Sequence, residues 1–236
     1  MVRRADRGVV SGSSVASLAP LQSCWLGRIG YAEAAALQES VRRRILDGDE
    51  GAERLLLCEH DPVITLGRGA LSENVLAAPD LLRARGISLE RSSRGGDVTY
   101  HGPGQLVAYP IVRLTHGVVA HVEAMAEAAV EVAAAFGVSA RFRRDRPGVW
   151  VDERKKLAAV GVHVHRRVAI HGMALNVATA LDAFELIVPC GLSGTFATSL
   201  SAEAGRPISV AETVLPLSAA LARALGRTAA PISARI

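Results

Sequence analysis

Cys190 is a candidate nucleophile because of the residues on either side of it. It lies between Pro189 and Gly191, which break regular backbone pairing and permit a tight, exposed turn. A thiol in such a turn is open to a substrate carbonyl, and its thiolate form is a strong nucleophile. Cysteine is also among the most buried residue types, so an isolated cysteine is more often an unreactive residue packed in the core. The assignment of Cys190 therefore depends on other residues.

Glycines and hydrogen-bonding side chains are concentrated in residues 94–105, which read RGGDVTYHGPGQ. Glycines let the backbone approach a ligand and expose its N–H groups, and the side chains of Arg94, Thr99, Tyr100 and His101 supply polar contacts. The segment lacks the Gly-Lys-Ser/Thr ending of a P-loop and the spacing of a dinucleotide fingerprint. We expect a ligand-binding loop, not a core element, and the alternative is a plain glycine-rich hairpin turn.

Lys156 is the third candidate, at the start of the predicted strand Lys-Leu-Ala-Ala-Val-Gly. A lysine in this position is usually a solvated charge at a sheet edge. Beside a thiol, however, a lysine lowers the thiol pKa by stabilising the thiolate. His171 and Asn176 are polar residues in the otherwise apolar strand that follows. His171 is either a core histidine with satisfied hydrogen bonds or a residue that supports the site from behind.

Hydrophobic periodicity predicts helices over residues 31–47, 79–85, 118–136 and 210–225. Ser209 followed by Glu212 predicts a capping box at the start of the last helix. Strands are predicted over residues 24–29, 54–58, 63–66, 87–91, 105–112, 149–151, 156–165 and 168–178. The last two are predicted to form a hairpin around Arg166-Arg167, whose turn type is left open. This order of elements favours an α+β domain with a mixed sheet flanked by helices.

The length of 236 residues fits one domain. We assign residues 21–228 to it, residues 1–20 to a disordered leader and residues 229–236 to a tail. A transit peptide within the leader is left open. Half of the residues are apolar, but none of the apolar runs approaches the ~20 residues that span a bilayer. We therefore expect no association with a membrane.

The net charge of +4 comes from 27 basic and 23 acidic residues, and the basic residues form short separate clusters at 42–44, 141–146 and 154–156. Without interleaved aromatic residues for stacking, they argue against nucleic-acid binding. These basic clusters are either solvated faces or a basic rim that docks an acidic protein. Cys24, Cys58 and Cys190 have no close spacing, so we expect neither a disulfide framework nor a metal site, and a cytoplasmic location.

Taken together, these motifs resemble the lipoyl(octanoyl) transferase, or lipoate–protein ligase B, family. Residues 94–105 match its signature R-G-G-x-x-T-Y/W-H-G-P-G-Q. Four further segments agree in order: residues 59–63, residues 148–150, the Lys156 strand with its His171-Gly172 return, and residues 188–191. The resemblance spans about residues 24–225.

The resemblance implies a domain like the catalytic domain of biotin and lipoate–protein ligases. It implies transfer of an octanoyl group from octanoyl-acyl carrier protein to a lysine of lipoyl domains, through a thioester on Cys190. Lys156 would lower the pKa of that thiol and shuttle protons. The acceptors would be the E2 subunits of 2-oxoacid dehydrogenases and the glycine cleavage H protein, with no ATP or metal cofactor. The residues that match the acyl-binding segments are Arg94, Gly95, Gly96, Asp97, Val98, Thr99, Tyr100, His101, Ala159, Val160, Gly161, Gly172, Met173 and Ala174.

Two alternatives remain at this point. An ATP-dependent lipoate or biotin ligase of the same fold activates a free acid as an adenylate and needs no cysteine. A non-catalytic module would bind an acidic carrier protein through the basic clusters, without a covalent intermediate.

Overall fold

The structure, a computed structural model, describes residues 19–189 and 194–234. The helices in these ranges are α1 (Tyr31–Leu46), α2 (Pro79–Ala84), α3 (Val118–Ala135), α4 (Leu200–Ala204) and α5 (Val210–Ala224). The four helices predicted from periodicity are therefore present, and each ends within one residue of its predicted end. The capping box of Ser209 and Glu212 is confirmed at the start of α5. The short α4 was not predicted.

Most strands belong to one mixed sheet. The strands are β1 (Leu21–Ile29), β2 (Arg54–His60), β3 (Val63–Leu66), β4 (Ser88–Arg91), β5 (Val98–His101), β6 (Gln105–Ile111), β7 (Arg141–Arg143), β8 (Gly148–Trp150), β9 (Lys155–His165), β10 (Val168–Asn176), β11 (Phe196–Ala197) and β12 (Ala229–Ser233). The order in the large sheet is β12-β1-β2-β6-β10-β9-β8-β7, and β11 pairs with β9. β12, β1 and β2 run parallel, whereas β2, β6, β10, β9, β8 and β7 alternate in direction. A second sheet has the order β4-β3-β5.

Helices cover both faces of the large sheet. Leu106, Met125 and Leu217 belong to the core on the side of α3 and α5, whereas Val41 and Tyr109 belong to the core beneath α1. Complete burial of one such large apolar side chain contributes about 1.5–3 kcal/mol. These two layers of packing confirm the predicted α+β architecture with a mixed sheet flanked by helices.

The prediction that residues 94–105 form a loop outside the core is wrong for part of the segment. Val98–His101 form the buried strand β5, which pairs with β3. Val98 and Tyr100 lie in the core of the small sheet. Valine, threonine and tyrosine favour a pleated, buried surface, and this preference outweighs the glycines on either side.

The sheet extends into the segment that we assigned to a tail, because Ala229–Ser233 form β12 and pair with β1. The hairpin of β9 and β10 is confirmed. Arg166 and Arg167 have φ values of 46° and 66°, which identifies a type I′ turn. Arg167 compensates for its backbone conformation by donating two hydrogen bonds to the Leu114 carbonyl.

Candidate active site

A cavity of about 810 Å³ lies above β9 and β10, beneath the glycine-rich segment. Its lining includes Lys156 and most of the residues predicted to bind substrate, namely Arg94, Gly95, Gly96, Asp97, Thr99, His101, Ala159, Val160, Gly161, Gly172, Met173 and Ala174. Val98 and Tyr100 are not among the lining residues, because their side chains pack in the small sheet. Substrate binding by the twelve lining residues stays a prediction. Val98 and Tyr100 pack behind the cavity wall and do not face the cavity.

The floor of the cavity is made of small residues in register. Ala159 pairs with Ala174, and Gly161 pairs with Gly172. A Cβ atom on Gly172 would lie 2.1 Å from the Ala108 carbonyl oxygen, so a larger residue does not fit there. Alanine and glycine thus keep space open above the sheet.

The charged side chains of the glycine-rich segment hold the segment in place. Arg94 donates to the carbonyl and hydroxyl oxygens of Thr65, both at 2.8 Å. The Asp97 carboxylate accepts from the Asn74 amide at 2.5 Å and from the backbone N–H of Val98 at 2.8 Å. The Gly95 N–H donates to the Val162 carbonyl at 2.9 Å and joins the segment to β9. These contacts fix the segment over the cavity, which Gly95 and Gly96 line together with Arg94 and Asp97.

Lys156 is buried, with 9% of its surface exposed, so it is not a solvated edge charge. Its Nζ lies 5.3 Å from the centre of the Trp150 ring. The guanidinium of Arg146 lies 4.9 Å from the same ring, and the Arg146 carbonyl accepts from the indole N–H. A Cβ atom on Gly148 would lie 2.3 Å from Cε of Lys156. The sequence Gly-Val-Trp of β8 therefore gives the lysine both its space and its aromatic neighbour.

Cys190 and Gly191 lie outside the described residues, but the chain on either side of this segment borders Lys156. Pro189, Thr195 and Lys156 line one small cavity. Ala197 of β11 pairs with Lys156, and the Thr198 N–H donates to the Lys156 carbonyl at 2.9 Å. The described residues on either side of positions 190–193 therefore include two that share a cavity with Lys156, Pro189 and Thr195.

A chain of buried amides links the glycine-rich segment to the end of β11. Gln105 accepts from Nδ1 of His101 at 2.7 Å and donates to Asn176 at 2.9 Å. Asn176 in turn donates to the Thr198 carbonyl at 2.9 Å. Since a glutamine Oε1 only accepts, His101 carries its proton on Nδ1. The polar residue Asn176, which stood out in the sequence, thus fixes the backbone beside Lys156.

Sequence reasoning missed a cluster of aromatic rings at the cavity wall. Tyr31 stacks on His101 at 6.0 Å between ring centres, and His60 lies edge-on to both rings. Nε2 of His60 is 2.7 Å from the Tyr109 hydroxyl. Burial lowers the pKa of His101 to about 3, so this histidine is neutral near pH 7. These residues come from separate elements. His60 and His101 lay in segments that the family resemblance singled out, whereas Tyr31 and Tyr109 did not.

His171 has a φ of 61°, which is costly for a residue with a side chain. Its backbone N–H donates to Gln38 Oε1, and its Nε2 is 2.8 Å from the Ser93 hydroxyl. The strand neighbours Ala169 and Met173 pack in the core under α3, whereas the His171 ring faces Tyr109 in the core under α1. His171 therefore lines the cavity. It also contacts Ser93, the residue directly before the glycine-rich segment.

The two described cysteines, Cys24 and Cys58, are buried. Burial raises the pKa of the Cys24 thiol, and it raises the pKa of the Cys58 thiol far above its ordinary value. Both thiols are therefore poor nucleophiles at neutral pH.

The arginines of the basic cluster at residues 141–146 form ion pairs with nearby glutamates. Arg141, Arg143 and Arg146 each contact the Glu153 carboxylate, and Arg144 pairs with Glu123 at 2.7 Å. Exposed pairs of this kind contribute about 0–1 kcal/mol each. Acidic neighbours therefore compensate much of the charge of the cluster, and Arg144 and Arg146 also line the large cavity.

Residues 19–189 and 194–234 contain no group of three or more His, Cys, Asp or Glu side chains that could hold a metal ion. In the same ranges, the helices are too short or too polar to span a bilayer.

Comparison with protein families matches residues 30–222 to the lipoyl protein ligase A/B catalytic domain. The chain belongs to this family. It is 46% identical over 193 residues to a protein of Acidobacterium capsulatum named octanoyltransferase, covering 75% of this chain and 78% of that protein. It is 49% identical over 171 residues to an octanoyltransferase of Solibacter usitatus, covering 71% and 77% of the two chains.

Solved structures with the same architecture include a lipoate-protein ligase A bound with ATP, with a TM-score of 0.76 and 18% identity over 91% of this chain and 89% of that chain. A biotin protein ligase from Aquifex aeolicus in complex with biotin and ATP has a TM-score of 0.52 and 14% identity over 86% and 70% of the two chains. These likenesses concern the fold. They confirm the predicted similarity to the catalytic domain of biotin and lipoate–protein ligases.

Proposed function

We propose that this protein transfers an octanoyl group from octanoyl-acyl carrier protein to a lysine of lipoyl domains, with Cys190 as the nucleophile. The observation that carries the proposal is the placement of a buried lysine, Lys156, at a cavity floored by alanine and glycine. Pro189 and Thr195, on either side of residues 190–193, line a small cavity together with that lysine, and Ala197 pairs with it. The names of relatives with 46% and 49% identity support the same activity.

The cavity suits a saturated acyl chain. Ala159, Gly161, Gly172 and Ala174 present little side chain to the space above the sheet. Burial of each CH₂ group contributes about 0.8 kcal/mol, so an octanoyl chain supplies several kcal/mol of binding free energy. The discrimination between neighbouring chain lengths is correspondingly modest.

In the first half-reaction, the Cys190 thiolate attacks the carbonyl carbon of the donor thioester. A new C–S bond forms to Cys190, and the bond between the carbonyl carbon and the pantetheine sulfur breaks. The Lys156 ammonium gives its proton to the departing thiolate. The products are octanoyl-Cys190, a neutral lysine and the free thiol of the carrier.

In the second half-reaction, the amine of the acceptor lysine attacks the octanoyl-Cys190 carbonyl. The neutral Lys156 takes the proton that the amine loses, and the bond to Cys190 breaks. The amide product leaves, and Cys190 returns as a thiolate beside an ammonium. Because the donor is already a thioester, neither ATP nor a metal ion takes part.

The acceptors in this proposal are lipoyl domains of 2-oxoacid dehydrogenase E2 subunits and the glycine cleavage H protein. In each of them a lysine would receive the octanoyl group, and we propose that the reaction takes place in the cytoplasm.

A transfer assay tests the proposal. The purified protein is incubated with octanoyl-acyl carrier protein and an unmodified lipoyl domain, and the intact mass of the lipoyl domain is measured with and without ATP. We expect the mass of one octanoyl group to be added at the same rate in both cases. Transfer from free octanoate that requires ATP would instead identify a ligase, and failure to modify the lipoyl domain would reject the proposal.

A further inference from the structure

Residues 67–77, the bridging segment between β3 and α2, contact two separate parts of the site. At its beginning, the N–H groups of residues 67–69 donate to carbonyl oxygens of the glycine-rich segment at 3.0–3.2 Å. At its end, Val75 forms an antiparallel bridge with Ile187, and the Leu76 N–H donates to the Leu186 carbonyl at 2.9 Å. The bridging segment therefore joins the wall of the large cavity to the chain before Pro189.

Asn74 forms hydrogen bonds in both directions from this segment. Its side-chain Nδ2 donates to the Asp97 carboxylate at 2.5 Å, and its backbone carbonyl accepts from the Val188 N–H at 2.8 Å. Since an ionised carboxylate only accepts, the amide nitrogen of Asn74 must face Asp97. Asn74 thus connects the glycine-rich segment with the residue two positions before Cys190. It lies outside the motifs that the sequence singled out.

Asp97 is a firm point of attachment for Asn74. Its carboxylate also accepts from the backbone N–H groups of Val98 at 2.8 Å and Leu71 at 3.2 Å. Hydrogen bonds to an ionised acceptor are about twice as strong as those between neutral groups. Asp97 also lines the large cavity. The bond from Asn74 therefore fixes the bridging segment to the cavity in which we place the acyl chain.

The other hydrogen bond of Asn74 acts at the small cavity. Val188 directly precedes Pro189, which lines that cavity together with Lys156. The two residues before Val188 pack in the core of the small sheet. Lys156 itself is held by contacts with β8 and β11. Asn74 therefore fixes the chain at the small cavity independently of the contacts that hold the lysine.

We propose that Asn74 is a positioning residue that sets the separation between the acyl cavity and the chain leading to Cys190. This role rests on the proposed function, in which Cys190 is the nucleophile. An acyl chain bound at the glycine-rich segment reaches the nucleophile only if the two segments keep a fixed separation. Because a displacement of about 1 Å can lower a rate about a hundredfold, Asn74 affects acyl transfer without touching the substrate.

The test replaces the amide of Asn74 with a carboxylate. Asn74→Asp keeps the size of the side chain but places two like charges at hydrogen-bond distance, where they repel each other. We expect single-turnover formation of octanoyl-Cys190 from octanoyl-acyl carrier protein to slow at least about tenfold, well below the melting temperature. We also expect faster hydrogen exchange at the Val188 N–H. Ser72→Asp is the matched control, because it adds the same charge at an exposed position of the same turn.

A second variant separates positioning from a general loss of structure. Combining Asn74→Asp with Asp97→Asn exchanges the two partners and restores one amide and one carboxylate. Because the two side chains are in contact, their effects should be coupled. We expect the double variant to form octanoyl-Cys190 at least about fivefold faster than Asn74→Asp and to regain slow exchange at the Val188 N–H.

Equal rates in Asn74→Asp and Ser72→Asp would overturn the inference, and so would a slow rate that the double variant does not improve. Faster exchange at the Val188 N–H without a slower rate would show that Asn74 only stabilises the fold. These results differ from a failure of the proposed function, in which the unmodified protein forms no octanoyl-Cys190. In that case the exchange at Val188 still decides whether Asn74 holds this part of the chain.

Discussion

The ammonium of Lys156 lies 5.3 Å from the centre of the buried Trp150 ring. The negative face of an indole attracts a cation, by about 2 kcal/mol or more when the pair is shielded from water. Trp150 is itself fixed by the hydrogen bond from its indole N–H to the Arg146 carbonyl. It therefore holds the lysine in one position at the cavity, and we regard Trp150 as a positioning residue.

Replacement of Trp150 should lower the rate of transfer through Lys156. We expect Trp150→Leu to decrease kcat about 5- to 30-fold, because loss of the cation–π contact costs about 1–2 kcal/mol, and to leave KM for the lipoyl domain nearly unchanged. Trp150→Phe keeps an aromatic face and should restore part of the rate. Steady-state kinetics and melting temperatures of both variants provide the check. If kcat falls equally in both variants, and in proportion to the decrease in melting temperature, Trp150 only fills the core.

The absence of a side chain at Gly148 should also be needed for the position of Lys156 and hence for the rate of transfer. A Cβ atom there would approach Cε of Lys156 to 2.3 Å and the Ala158 carbonyl oxygen to 2.8 Å, so Gly148→Ala must displace the lysine. We expect transfer to fall at least about tenfold, as a displacement of about 1 Å can cost more than that. Gly205→Ala is the control, because Gly205 also has a positive φ but has open space around it. If the two variants retain the same activity, the fit between Gly148 and Lys156 has no role in catalysis.

The buried histidines predict how stability depends on pH. The pKa values of His101 and His171 are lowered by burial to about 3 and about 4, whereas both residues regain a pKa near 6.5 on unfolding. The unfolded chain therefore binds more protons as the pH falls below about 6.5, and the free energy of unfolding decreases. Between pH 6.5 and pH 5 the loss is about 2 kcal/mol for each histidine.

Urea denaturation at a series of pH values measures this loss. His101→Phe, which keeps a ring against Tyr31, should flatten the profile between pH 6.5 and pH 5 while lowering stability at pH 7. His116→Gln, at an exposed position, should leave the slope as it is. An unchanged slope in His101→Phe would contradict the assignment of a neutral, buried His101.

The sequence predicted the helices and the β9–β10 hairpin well, because their apolar periodicity and the Ser209 cap are local signals. It did not predict β5, since the glycines around Val98–His101 obscured a short buried strand. The contact of Lys156 with Trp150 and the rings around His101 depend on pairing between distant strands, which residue spacing does not specify. The His171 ring lies on the opposite face of β10 from the side chains of Ala169 and Met173. This placement depends on a positive φ, which favours glycine, and the local sequence gives no signal for it.

Lys156 should also control the reactivity of the proposed nucleophile. In Lys156→Met the ammonium is lost but the length of the side chain is nearly kept, so a thiolate at Cys190 loses a stabilising charge. We expect the pH at which Cys190 is half-alkylated by iodoacetamide to rise. Lys155→Met is the matched control, because Lys155 is exposed and pairs with Glu203. The same alkylation profile in Lys156→Met and in the unmodified protein would remove Lys156 from this role.

The central claim is that the octanoyl group passes through a thioester on Cys190. The most direct measurement is the intact mass of the protein after incubation with octanoyl-acyl carrier protein, followed by peptide mapping. We predict one octanoyl group on Cys190 and none on Cys24 or Cys58, whose buried thiols have raised pKa values, and we predict its loss when a lipoyl domain is added. An octanoyl adduct of the same amount in Cys190→Ala, or transfer to the lipoyl domain at an undiminished rate by that variant, would contradict the account.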